Sequence, residues 1–308
     1  AILLEAAYLL LAAAREGVCF RHCLTLGRQS YLLGNSESRH LLREAGYDPN
    51  AFPELYKGEY GMRYAEPFFK ILGAERVDSL DASPMEHATI IHDLNLPIPD
   101  ELRDQFDVVY DGGTLEHVFN FPTAIANVME AVKPGGRLIL HTTGNNYFGH
   151  GFYQFSPELF FRVLSEENGF KVERLIAIEY GPRRRWFEVL DPETIRARTP
   201  LINPFPVLLY VQALKNETKK VFWQWPQQSD YVVMWDSKGS SGGESGCGQR
   251  DPLAKVKQLL IEKTPRLARF LEAFLFSQLN RGFSFRNRTA FRPVNKHLLV
   301  TMAGRQRL

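Results

Sequence analysis

The stretch Phe106-Asp-Val-Val-Tyr-Asp-Gly-Gly-Thr-Leu-Glu-His-Val118 decides how this chain is read. A hydrophobic strand, 106–110, delivers an acid, Asp111, and two glycines, Gly112 and Gly113, to the edge of a sheet. Glycines at that point let a ligand approach the backbone closely. An ordinary strand-to-helix turn is the alternative, and the length of the run disfavours it.

Downstream, Ile125, Val128, Met129 and Val132 follow helical spacing, and Lys133-Pro-Gly-Gly136 ends that helix. Further strands are expected at 21–26, 76–80, 89–92, 137–142, 171–179 and 207–214. Strands alternating with helices predict an α/β fold with a doubly wound, mostly parallel sheet. In such a sheet the ligand lies beyond the carboxyl ends of the strands, where strand order reverses. The residues just after each strand therefore carry the functional information: Leu26-Gly27-Arg28-Gln29-Ser30, Asp81-Ala82-Ser83 and Asp93-Leu94-Asn95, besides the run from Asp111. A carboxylate ending the second strand, Asp81, is placed to accept both hydroxyl protons of a ribose diol. Asp93 can accept from an adenine amino group, or serve as ordinary turn chemistry.

The order of elements, Asp81, Asp93, the block 106–118 and Val132-Lys-Pro-Gly-Gly-Arg-Leu-Ile139 together resemble the class I S-adenosylmethionine-dependent methyltransferases over residues 18–215. The resemblance implies a Rossmann-like, seven-stranded sheet whose last two strands form an antiparallel pair at one edge. It implies S-adenosyl-L-methionine as cofactor, contacted by Gly27, Arg28, Gln29, Asp81, Ala82, Asp93, Leu94, Asp111, Gly112, Gly113 and Glu116. The first-strand loop departs from the family's acid-x-Gly-x-Gly-x-Gly: Thr25 takes the acidic position and only Gly27 remains of the glycines. Arg28 and Gln29 then replace backbone contacts to the cofactor's carboxylate with side-chain contacts. About fifty residues separate Leu26 from Asp81, so 47–61 reads as an inserted loop that either shapes a pocket or is inert.

A methyl on a sulfonium is already activated, so transfer needs positioning of the acceptor and, for a hydroxyl, a base. Histidine suits that role near neutral pH. His117 follows the fourth strand, and His150 lies in Gly144-Asn-Asn-Tyr-Phe-Gly-His-Gly-Phe-Tyr-Gln-Phe155, an aromatic loop that reads as a lid. His150 is the first choice of base and His117 the second; a structural hydrogen bond is the plain alternative for each. Ser156-Pro157 begins the next helix. Arg183-Arg-Arg-Trp186 reads as a solvated turn or as a grip for an anionic acceptor.

The chain has 308 residues, 44% hydrophobic and 23% charged, which excludes disorder throughout. Its net charge of +2 conceals an asymmetry: residues 252–308 hold 12 basic and 2 acidic residues, leaving residues 1–251 acidic. The expected organisation is a methyltransferase domain with an N-terminal helix at 1–235, a Gly/Ser-rich linker at 236–251, and a basic helical extension at 252–308. That extension docks on its own domain, with a partner subunit or an anionic membrane or glycan surface as the alternatives. Three cysteines are too few for a disulfide framework and point to a reducing, cytoplasmic compartment. Cys19, His22 and Cys23 make half a zinc site at most, so no metal is assigned. The apolar opening, residues 1–14, contains Glu5 and is too short to span a bilayer; with no initiator Met, the chain reads as trimmed or partial.

The leading expectation is an O-methyltransferase acting on a small molecule or glycan precursor, with no DNA partner. A non-catalytic Rossmann-like binding or scaffold protein, favoured by the reduced Gly27 loop, is the alternative. An NAD-dependent enzyme would need a Gly-x-Gly-x-x-Gly that is missing. Asp111-Gly112-Gly113-Thr114 stands where base-amino methylation would place Asn/Asp-Pro-Pro-Tyr, which favours oxygen acceptors. The acceptor itself and the oligomeric state are not legible.

Overall fold

The computed structural model describes residues 1–239, 264, 266 and 284–301. The strands are β1 (His22–Leu26), β2 (Arg76–Asp81), β3 (Ile90–Ile91), β4 (Phe106–Asp111), β5 (Val132–Thr143), β6 (Phe170–Glu179), β7 (Arg185–Val189), β8 (Val207–Lys215) and β9 (Phe291–Pro293). The helices are α1 (Leu4–Arg15), α2 (Asn35–Glu44), α3 (Glu66–Ile71), α4 (Phe121–Ala131), α5 (Pro157–Val163), α6 (Pro192–Ile195), α7 (Ser229–Gly239) and α8 (Lys296–Thr301).

The described strands form one sheet in the order β3-β2-β1-β4-β5-β8-β6-β7-β9. Strands β1 to β5 are mutually parallel, and β8 inserts antiparallel to both β5 and β6. The α/β, mostly parallel sheet with an antiparallel edge is as expected; the count is nine described strands, not seven. The strand missed inside the expected methyltransferase region is β7. Its leading arginines read as solvated, yet Arg184 pairs with the buried Glu5 carboxylate and Arg185 with buried Glu179, while Trp186, Phe187 and Val189 go inside. The chain therefore extends there instead of turning.

The Lys133-Pro-Gly-Gly136 segment also differs from expectation, because β5 begins directly at Val132. Pro134 cannot continue a helix, and the chain passes straight into an extended stretch. Gly136 is required there: a Cβ would meet the Asp107 carbonyl at 2.8 Å.

Contacts divide the chain into two units. The first comprises Ala1–Val189, Phe205–Pro226 and Pro293–Leu308 and holds the sheet's core. Helix α1 runs through it: Leu9, Leu10 and Leu11 are fully buried, and each contributes roughly 1.5–3 kcal/mol. Glu5, also buried, is matched by Tyr180, whose hydroxyl donates at 2.6 Å, and by Arg184. The segment 47–61 contains two short 3₁₀ turns, anchored by buried Arg63, which donates to the Leu55 carbonyl at 3.2 Å and to Asn35 Oδ1 at 2.8 Å. The second unit comprises Leu190–Pro204 and Gln227–Arg292. Within it, Arg198 pairs with Asp230, and Phe285 packs edge-on to Phe291 with ring centres 5.1 Å apart.

Residues 236–239, expected in the linker, belong to α7; the rest of the linker and most of the basic extension lie outside the described residues. The described part of the extension includes α8, which docks in cis on α1. Arg15 donates to the Val300 carbonyl, and Lys296 lies over the Tyr8 ring at 5.1 Å. Among the described residues, no helix is long and apolar enough to cross a membrane.

Candidate active site

The strand order reverses between β1 and β4: the chain moves outward from β1 to β2 and β3, then returns to place β4 on β1's other side. Two loops meet at that point and are stitched together. Thr114 Oγ1 donates to the Leu26 carbonyl at 2.9 Å, and the Gly27 amide donates to the Leu80 carbonyl at 2.7 Å. Gly27 sits at φ +67°, a left-handed conformation that favours glycine. A Cβ on it would lie 3.7 Å from Asp81 Oδ2 and 3.6 Å from Thr114 Oγ1. Gly27 thus forms the floor between the β2 carboxylate and the β4 loop.

Buried Gln29 turns its amide nitrogen to the Leu26 carbonyl, while its Oε1 has no hydrogen-bond partner. That oxygen faces Gly112, where a Cβ would meet it at 2.2 Å and the Ala1 nitrogen at 2.9 Å, so any side chain there displaces Gln29. The Gly112 carbonyl accepts from the Ala1 nitrogen at 2.5 Å. Arg28 points elsewhere: its guanidinium pairs with Glu66 at 2.6 Å and covers the Tyr64 ring at 3.7 Å.

Asp111 is fully buried and accepts from its own loop, from the amides of Thr114 at 2.7 Å and Gly113 at 3.2 Å. Burial and the neighbouring Glu116 charge push its carboxyl up to about 7. Glu116, 1% exposed, is likewise raised by burial. Its Oε2 accepts from Thr142 Oγ1 at 2.8 Å, and its Oε1 lies 3.8 Å from His150 Nε2. The rings of His117 and His150 meet edge-on, 5.0 Å apart, and burial together with His150 holds His117 below its ordinary value. Ligand atoms of Glu116, His117 and His150 all lie within 4.8 Å of one another.

Asp93 and Leu94 stand apart from this group. Asp93 is exposed and accepts from the Asn95 amide at 2.9 Å, closing a turn, and Leu94 is buried beside Leu24, Leu26 and Val128. Ala82 is exposed next to Asp81. Cys23 and Cys19 are free, and His22 is held by Asp78 at 2.8 Å.

The loop after β5 packs against the same corner. The Phe152 and Tyr153 amides donate to the Glu116 carbonyl at 2.8 and 3.2 Å, and Tyr153 hydroxyl donates to the Phe119 carbonyl at 2.6 Å. Gly151 allows this approach, since a Cβ would meet the Glu116 carbonyl oxygen at 2.7 Å. Phe119, Phe148 and Phe152 remain exposed on the two loops that carry the histidines. Two residues the sequence reading passed over have positioning roles: Thr114 joins the loops, and Thr142 orients Glu116. Thr142 lies at the carboxyl end of β5, a position that the sheet rule itself marks.

Residues 68–140 match a family model described as a methyltransferase domain. No curated protein matches the sequence. Among solved structures, the chain is similar to a candidate methyltransferase of Bacillus halodurans, at 13% identity and a TM-score of 0.37, covering 67% of this chain and 99% of that one. It is similar to the 1,6-didemethyltoxoflavin-N1-methyltransferase of Burkholderia thailandensis, solved with S-adenosylhomocysteine, at 14% identity and a TM-score of 0.35, covering 69% and 80%. The branched-chain polyamine synthase of Thermus thermophilus gives 14% identity and a TM-score of 0.36, covering 73% and 61%.

Proposed function

We propose that this chain is a class I S-adenosylmethionine-dependent methyltransferase and that it methylates a hydroxyl of a small-molecule or glycan acceptor, a reading supported by the methyltransferase-domain match over residues 68–140. The observation that carries this reading is the convergence of Glu116, His117 and His150 just beyond the Gly112–Gly113 turn that also borders Gln29.

The donor set fits the cofactor's chemistry. A cationic ligand with a ribose diol needs carboxylate and carbonyl acceptors. The corner supplies Asp81 beside Gly27, the unpartnered Gln29 Oε1, the Gly112 carbonyl and two buried acids. Asp81 would take the diol, with one oxygen already oriented by the Ser83 amide at 2.9 Å. Gln29 and Gly112 would take the amino-acid end; Arg28, committed to Glu66, would not. When bound, the cofactor supplies an electrophilic methyl on sulfur.

The chain's own residues then position the acceptor. Phe119, Phe148 and Phe152 offer apolar faces to its carbon skeleton, and the histidine pair faces its hydroxyl. His150, which is exposed, receives the hydroxyl proton; His117, held below its ordinary pKa, keeps a neutral neighbour beside it.

Calorimetric titration with S-adenosylhomocysteine, followed by labelled methyl transfer to a panel of hydroxylated small molecules and sugars, tests this. Binding with transfer to oxygen is expected. Binding without transfer to any oxygen acceptor overturns the acceptor class; no binding at all leaves the scaffold reading.

A further inference from the structure

The geometry points to a divalent metal site formed by Glu116, His117 and His150, with open coordination positions turned toward the acceptor. Two loops that are 33 residues apart in sequence, after β4 and after β5, bring one carboxylate and two imidazoles to a single point. The 3.8 Å between Glu116 Oε1 and His150 Nε2 is too long for a hydrogen bond. It is close to the separation of about 3.3 Å expected for two ligands sharing one tetrahedral ion at ~2.0 Å.

The carboxylate is prepared for such a role. Thr142 donates to Oε2 and so fixes the side chain with Oε1 outward, the outer contact that metal-binding carboxylates ordinarily have. Glu116 is 1% exposed and shares its surroundings with fully buried Asp111, so a cation there neutralises charge that solvent cannot reach. Both histidines are exposed, which leaves the ion's outer side free for an exogenous oxygen. Gly151 and Gly113, both at positive φ, allow the two loops to close by the short distance that coordination requires.

Two imidazoles and one carboxylate favour Zn²⁺, Co²⁺ or Mn²⁺ over Mg²⁺ and Ca²⁺, which take mainly oxygen ligands. Three protein ligands with a vacant position is the pattern of catalytic zinc. The role of the ion, though not the site, rests on the methyl-transfer reading above. An acceptor hydroxyl bound to the ion loses its proton to bulk water at neutral pH. The resulting oxygen forms a bond to the methyl carbon as the carbon–sulfur bond breaks, and that bond's electron pair stays on sulfur to give the neutral thioether. In the metal-loaded chain the histidines hold the ion, and the ion takes over the proton release that the metal-free reading above gives to His150.

The test uses the full chain, stripped with chelator, dialysed and titrated with ZnCl₂ and CoCl₂ in parallel with S-adenosylhomocysteine. The expected result is one ion per chain, a Co²⁺ visible spectrum typical of mixed nitrogen and oxygen ligands, and at least a tenfold loss of metal affinity in H117A, H150A and E116Q. H150A, on an exposed side chain, keeps S-adenosylhomocysteine binding and so reports on the metal independently of folding. Thioether binding with no stoichiometric metal in the wild type overturns the site. So does wild-type metal affinity in both histidine variants. Metal binding without thioether binding sustains the site and overturns its role in methyl transfer.

Discussion

The Lys215 ammonium, inside the fold with only 2% of the residue exposed, sits 2.7 Å from Asp104 Oδ1. It also donates to the carbonyls of Val132 at 2.7 Å and Met129 at 3.1 Å, so one cation fastens the end of β8 to the junction of α4 and β5. Lys215→Met removes this donor from the Val132 and Met129 carbonyls and leaves Asp104 only the Thr218 hydroxyl, at a cost of about 1–3 kcal/mol. Urea unfolding checks this; a midpoint equal to that of the wild type contradicts it.

Glu5 and Arg184 give a sharper test of buried charge. Arg184→Met strands a carboxylate that is 2% exposed, leaving it the Tyr180 hydroxyl as a hydrogen-bond donor and no paired cation, and costs about 3 kcal/mol. Removing both charges in Glu5→Leu/Arg184→Met restores much of that loss, because the double variant leaves no stranded charge. Thermal unfolding of the two variants should place the double above the single.

Asp81→Asn weakens S-adenosylhomocysteine binding about tenfold, roughly 1.4 kcal/mol, because an amide presents one acceptor oxygen to a diol where the carboxylate presents two. Gly112→Ala has a larger effect, since its Cβ would meet Gln29 Oε1 at 2.2 Å. Titration calorimetry ranks the two variants; equal affinity in both contradicts the placement.

His150→Ala lowers kcat by about 10² to 10⁴ with cofactor affinity retained. His117→Ala lowers it in the same direction. Steady-state kinetics beside a binding titration separates the two effects, and wild-type turnover in both variants removes the histidine pair from the chemistry.

Asp111 makes stability depend on pH. Its folded carboxyl titrates at about 7, above the ordinary value of 3.8, so between those limits the folded state holds a proton that the unfolded state has released. Stability from this group is complete below about 4 and falls as pH rises toward 7. His141, buried and pushed down to about 4, has the opposite slope, losing stability as pH falls from 6.5. Asp111→Asn removes the Asp111 contribution, while buried Glu116, raised in the same direction, and His141 keep theirs. Its melting temperature relative to the wild type should therefore rise between pH 4 and pH 7; a flat difference contradicts the assignment.

Much of the sheet was legible because its strands are long apolar runs ending in acids and glycines, as at Phe106–Gly113. Strand β7 was not, because the partners that neutralise Arg184 and Arg185 lie at Glu5 and Glu179, and pairing at that distance leaves no local pattern. The same reason hid the direction of Arg28, which turns to Glu66. The histidines were each visible as isolated candidates. Their meeting with Glu116 depends on the β5 loop folding back across Gly151, a backbone approach that residue types do not encode.

The bond from Arg15 to the Val300 carbonyl bears on how the chain is made. Arg15 of helix α1 is synthesised 285 residues before its partner Val300 of α8, about 15 to 60 seconds at ordinary translation speeds. Through that interval Tyr8 and Arg15 lack their final cover, so a nascent chain with α1 exposed is the species most open to chaperones and proteases. Ribosome-stalled chains ending before and after α8 should differ most in protection at this helix.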